Sequence, residues 1–94
     1  MTSPLLLVTE VPVGPDAIGP ALTALRRQPP AGAVHYLGAE ASTVLELAPL
    51  RNLAQLDELT PRWSALAAEL APLSVGDIRR QVLEFVEAPK PVPG

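Results

Sequence analysis

The longest regular rhythm of apolar positions lies between Asn52 and Leu73, where Leu53, Leu56, Leu59, Trp63, Leu66, Leu70 and Leu73 recur three or four residues apart. An α-helix gathers such positions into one stripe, so the stretch predicts helix packed on a core. Pro61 interrupts the stripe. Thr60 suits an N-cap and proline suits the first helical position, so two pieces are expected: a short helix from about Leu53 to Leu59 and a longer one from Pro61 to about Leu70, with Pro72 preventing clean continuation.

Elsewhere the period shortens. Leu5 to Val11 is an apolar, partly β-branched run closed by Pro12, Gly14 and Pro15, which predicts a buried strand. Asp16 offers an N-cap to a first helix whose inner face is Ile18, Leu22 and Leu25, and which ends near Gln28 before Pro29-Pro30. Ala33 to Gly38 and Thr43 to Ala48 read as two strands of a hairpin turning through Ala39-Glu40-Ala41-Ser42. Period-two alternation puts Val34 and Tyr36 on one face and His35 and Leu37 on the other, then Leu45 and Leu47 opposite Val44 and Glu46. After a loop at Ser74-Val75-Gly76-Asp77, Ile78 to Glu87 predicts a last strand. From Ala88 on, proline alternates with other residues, which predicts an extended tail.

The order strand, helix, strand, strand, helix, strand is the ferredoxin-like α+β plan, expected here as one domain over residues 1–88 with a proline-rich tail at 89–94. Two helices cover only one face of a four-stranded antiparallel sheet, yet these strands carry apolar residues on both. A second copy of the same sheet would cover the other face, and a homodimeric barrel is the expected assembly.

Composition narrows the chemistry. The chain is 48% hydrophobic and 18% charged, which suits a folded domain with apolar surface to spare. Its net charge of −3 argues against a nucleic-acid partner, and the N-terminal apolar run, ended by Thr9-Glu10, is too short for a signal peptide or a membrane span. A cytoplasmic protein is expected. The absence of cysteine removes disulfides, thiolate metal sites and thiol nucleophiles. One histidine with Glu40 or Glu46 gives too few ligands for a metal site, and there is no phosphate-binding glycine loop, dinucleotide fingerprint or nucleophile elbow, so no cofactor is expected.

The element order over Leu5 to Glu87, together with Leu56-Asp57-Glu58-Leu59-Thr60-Pro61-Arg62-Trp63 followed by Leu66 to Leu73, resembles the dimeric α/β-barrel superfamily, and within it the small proteins grouped with antibiotic-biosynthesis monooxygenases. The resemblance implies a homodimer and, for some members, cofactor-independent oxygenation of a quinol or polycyclic phenol. It also implies a pocket role for Trp63 and a cation near the substrate from Arg79 or Arg80. The asparagine that such oxygenases carry on the first strand is replaced here by Thr9 and Glu10. The late second-helix histidine of haem-degrading members is replaced by Leu70, Ala71 and Leu73, so haem degradation is not expected.

His35, the single histidine, is the candidate base, because imidazole can take a phenolic proton near neutral pH. Arg80 is its candidate catalytic partner, and Tyr36 and Trp63 are the candidate ligand-binding residues. Each has a plainer explanation: an edge or interface histidine, a core-plugging tyrosine, and a tryptophan that anchors the leucine stripe. Glu46 and Glu84 would become acid or base candidates if buried, unless paired with Arg79 or Arg80. The reading is therefore a homodimeric barrel binding a small apolar or aromatic molecule, with monooxygenase activity as its catalytic form. The alternatives are a non-catalytic binding or assembly module and a cofactor-free isomerase or cyclase.

Overall fold

The computed structural model describes residues 5–38 and 42–85. Four strands, β1 (Leu5–Pro12), β2 (Val34–Leu37), β3 (Thr43–Leu50) and β4 (Arg79–Glu84), form one sheet in the order β2-β3-β1-β4, every neighbouring pair antiparallel. Two helices, α1 (Ile18–Arg26) and α2 (Gln55–Leu70), complete the ferredoxin-like α+β arrangement expected from the pattern. The hairpin residues 39–41 and the tail expected from Ala88 lie outside the described residues.

Alternation sorts the strands into two faces. Leu7, Thr9 and Val11 of β1 and Val44, Glu46, Ala48 and Leu50 of β3 are buried beneath the helices. There they form two apolar clusters. One joins Val11, Val13 and Val44 to Ala21, Ala24, Leu25, Leu66 and Leu70 of the two helices. The other joins Leu7, Ala48 and Leu50 to Leu56 and Leu59 of α2. The opposite face carries Leu6, Val8, Val34, Tyr36, Leu45 and Leu47, and no described helix covers it.

The expected break at Pro61 does not occur: α2 is one helix of 16 residues with Pro61 inside it. Both Pro61 and Asp57, whose carbonyl loses its usual donor, are on the exposed side, where water can take the freed group. The stripe of Leu56, Leu59, Trp63, Leu66 and Leu70 stays continuous against the core, and that burial outweighs the proline penalty of about 3 kcal/mol. Thr60 is not a cap. Its Oγ1 donates to the Leu56 carbonyl, 3.1 Å away, one turn back within the same helix. The actual entry to α2 is reciprocal: the Gln55 N–H donates to Asn52 Oδ1 (3.1 Å) while the Arg51 N–H donates to Gln55 Oε1 (2.7 Å).

Asp16 does not cap α1 either. It lies in a one-turn 3-10 segment, Pro15–Ala17, which hands the chain to Ile18 without a side-chain cap. Of the expected final strand, Ile78 to Glu87, the described residues form Arg79–Glu84, with Ile78 and Phe85 outside it and residues 86–87 outside the described residues. Entry to β2 depends on Gly32, whose φ of 77° completes a turn closed by the Ala33 N–H donating to the Pro30 carbonyl at 3.1 Å. That turn delivers β2 in the register that sets His35 opposite Glu46.

Candidate functional site

Register decides which side chains meet. Thr9 of β1 is paired with Arg80 of β4 on one side and with Glu46 of β3 on the other, and Glu46 is paired in turn with His35 of β2. Residues directly opposite in a ladder share a face, so Arg80, Thr9, Glu46 and His35 make one polar row across all four strands. The row lies on the helix-covered face, between the two apolar clusters.

At the β2 end the row closes on itself. Glu46 is only 2% exposed and would be costly to bury alone. Arg62 of α2 grips it at both oxygens, Nη1 to Oε1 at 3.0 Å and Nη2 to Oε2 at 2.9 Å. His35, its side chain 6% exposed, reaches Oε2 at 2.9 Å; a carboxylate only accepts, so Nε2 is the donor. Arg62 Nη2 also donates to the Leu25 carbonyl near the C-terminus of α1 (2.9 Å), so this one guanidinium ties α1, α2 and β3 together. Among the described residues no buried side-chain nitrogen or oxygen is left without a partner.

The β4 end is different. The Arg80 guanidinium lies over the Trp63 ring, 4.2 Å from its centroid, in a cation–π contact. No carboxylate among the described residues forms an ion pair with it. Partial burial, and then the like charge of Arg62, lower its proton affinity, against a smaller opposing pull from Glu46. It stays charged, but its charge is unmatched. Beside it, between α2 and β4, is a cavity of about 260 Å³ lined by Leu7, Leu56, Thr60, Arg80, Gln81 and Val82. Arg80 is the only ionisable group in that lining.

Other hollows are less suited to an apolar ligand. A larger one of about 510 Å³ runs along β4 and is lined by Glu10, Ile78, Arg79, Arg80 and Gln81, mostly polar groups. A groove of about 120 Å³ between α1 and α2 is crossed by the Arg27–Glu69 ion pair (2.8 Å) between exposed side chains. Among the described residues no group of three His, Asp or Glu residues is arranged to hold a metal ion, and no helix is long and apolar enough to cross a membrane.

The structure thus brings Arg80 and Trp63 together and separates them from the other candidates. His35 is on the same face, but three inter-strand spacings from Arg80 in the row, roughly 14 Å. Tyr36 is on the uncovered face, 58% exposed. Glu84 is exposed at the end of β4. Glu46 is paired with Arg62 and His35, whereas Arg79 or Arg80 was the partner expected from the sequence. Arg62 and Thr60 had not been singled out as site residues. The signal for Arg62 was present: it lies three residues after Leu59 and four before Leu66, so it interrupts the apolar stripe with a charge that needs a buried partner.

No protein-family model matches the chain, and the search of curated proteins gives no match. Among solved structures the fold is similar to that of Rv0793 from Mycobacterium tuberculosis, with a TM-score of 0.73 over 92% of this chain and 98% of that one. The two sequences are 19% identical, so the likeness is one of fold.

Proposed function

We propose that the protein is a homodimeric barrel that binds a small, largely apolar or aromatic molecule in the cavity between α2 and β4. The observation that carries this reading is an Arg80 with no ion-pair partner among the described residues, placed over the Trp63 ring beside walls of Leu7, Leu56 and Val82. Apolar walls with one oriented polar group are how small-molecule sites combine affinity with orientation. The homodimer is supported by the exposed Val34, Tyr36 and Leu83 and the part-exposed Leu6, Leu45 and Leu47 on a sheet face that no described helix covers.

Catalysis as a cofactor-independent monooxygenase on a quinol or polycyclic phenol is the second reading, favoured by the same cation. Such a reaction takes its electrons from the substrate, puts one oxygen atom of O2 into it and releases the other as water. A phenolate gives electrons more readily than a phenol, and Arg80 would favour the phenolate. No base lines the cavity, and His35 is engaged by Glu46 at the far end of the row, so binding is the primary reading.

Native mass spectrometry of protein from its source organism tests both parts. A dimer retaining an organic molecule supports the reading, and a monomer at micromolar concentration removes the barrel. Oxygen uptake with a naphthalene diol tests the second reading. Uptake that falls about tenfold or more in Arg80→Gln supports it, and uptake no faster than in buffer leaves a binding protein.

A further inference from the structure

The binding reading leaves open what polar group the ligand carries, and the charge balance of the row answers that. Two guanidinium groups, a part-buried Arg62 and an exposed Arg80, face this part of the sheet, and one carboxylate, Glu46, is buried there. Both oxygens of Glu46 are already taken by Arg62, and Oε2 is shared with His35. The row is therefore left with one uncompensated positive charge, located on Arg80, in a chain whose net charge is −3. Exposed charges tolerate such imbalance because water screens them. Arg80 is itself exposed, but its guanidinium lies over an indole and is partly desolvated, so part of that screening is lost.

Geometry adds to the charge. The Arg80 guanidinium lies over the Trp63 ring, and a planar fork of N–H donors fits a two-oxygen anion better than a single hydroxyl. The cavity is about 260 Å³, just under the usual range for drug-sized ligands, which limits one protomer's share of the ligand to one or two rings. Thr60 and Gln81 add neutral polar groups to the lining, and no acid among the lining residues would repel an anion.

We propose that the cavity between α2 and β4 is a site for a small aromatic carboxylate, its ring against Leu7, Leu56 and Val82 and its two oxygens on the Arg80 guanidinium. The proposal rests on the binding reading above and deepens it from an apolar ligand to an aromatic acid.

Trp63 is the only tryptophan in the chain, so its indole N–H gives a single, assignable reporter at the site. The full-length protein is titrated with naphthoate and, separately, with the neutral isostere naphthamide, following that signal in a proton–nitrogen correlation spectrum. Naphthoate is expected to bind about ten- to a hundredfold more tightly, the range for a charge-assisted hydrogen-bonded pair at a partly dry site. In Arg80→Gln the two compounds should bind alike, at the naphthamide affinity of the parent protein. Arg80→Lys should keep only part of the gap, because it retains the charge but loses the planar fork. Equal affinities in the parent protein would overturn the proposal while leaving the apolar-ligand reading standing. A preference for naphthoate that survives Arg80→Gln would overturn it by moving the anion to another cation. If neither compound moves the Trp63 signal, both the proposal and the binding reading fall.

Discussion

The two ends of the polar row use the same kinds of group on the same face of the same sheet, yet they are finished differently. At the β2 end, Glu46, Arg62 and His35 satisfy one another and also bind a helix-terminal carbonyl, and Glu46 and His35 are almost wholly excluded from water. At the β4 end, Arg80 has an aromatic surface and a cavity but no ion pair among the described residues. A closed network of buried charges holds elements in register and leaves nothing for a ligand to satisfy. An unmatched cation beside apolar walls contributes little to the fold and is available to one. Residue type alone points to the lone histidine as the centre of a site; the hydrogen bond to Glu46 places it in the closed network at the β2 end.

The sharpest way to break this contrast is Glu46→Ala. It leaves Arg62 and His35 facing a partly dry interior without their shared acceptor, and should destabilise the protein by about 3 kcal/mol, at the low end for breaking a buried pair because Arg62 is 21% exposed. The measurement is the denaturant midpoint at fixed protein concentration, since the proposed dimerisation would couple to stability. A loss below about 1 kcal/mol would mean the network is not structural.

Removing both charges is a finer test. In Glu46→Leu/Arg62→Leu no charge is stranded and apolar surface replaces it, so stability should return to within about 2 kcal/mol of the parent. The remainder would reflect the unpaired His35 and the lost tie to the Leu25 carbonyl. A double variant as weak as Glu46→Ala would show instead that the row is needed for register.

His35→Ala should cost about 1–2 kcal/mol, one hydrogen bond and a small packing loss on an edge strand. Binding at the far end of the row should change by less than about twofold, because roughly 14 Å separates His35 from Arg80. A large loss of ligand affinity would join the two ends into one site.

The smallest effect on folding is expected from Arg80→Gln, less than about 1 kcal/mol, because the group is exposed and makes no ion pair among the described residues. Its consequence should appear in ligand affinity. The opposite pattern, a stable Glu46→Ala and an unfolded Arg80→Gln, would reverse the assignment of scaffold and site.

Much of the fold was legible because periodicity is a local signal that burial enforces. The alternation of Val44, Glu46, Ala48 and Leu50 and the stripe from Leu56 to Leu70 identify inward faces without knowledge of their partners. Local rules misjudged Pro61, Thr60 and Asp16. A proline costs about 3 kcal/mol in a helix interior, but a continuous buried stripe returns more, and a cap preference is worth only about 1 kcal/mol. Of the candidate site, the pairing of Trp63 with an arginine after the last loop was within reach, since both had been marked. For Arg62 the need for a buried partner was legible but the partner was not, because Glu46 is 16 positions away and on a different kind of element.

By itself the sequence determined the order of strands and helices and the apolar surplus on the sheet, because these follow from residue type and spacing along the chain. Only the tertiary structure decided which charges are spent and which is left over. That depends on register: pairing Thr9 with both Glu46 and Arg80, and Glu46 with His35, sets four distant residues in one row. A one-residue slip in any ladder would turn one of them to the other face.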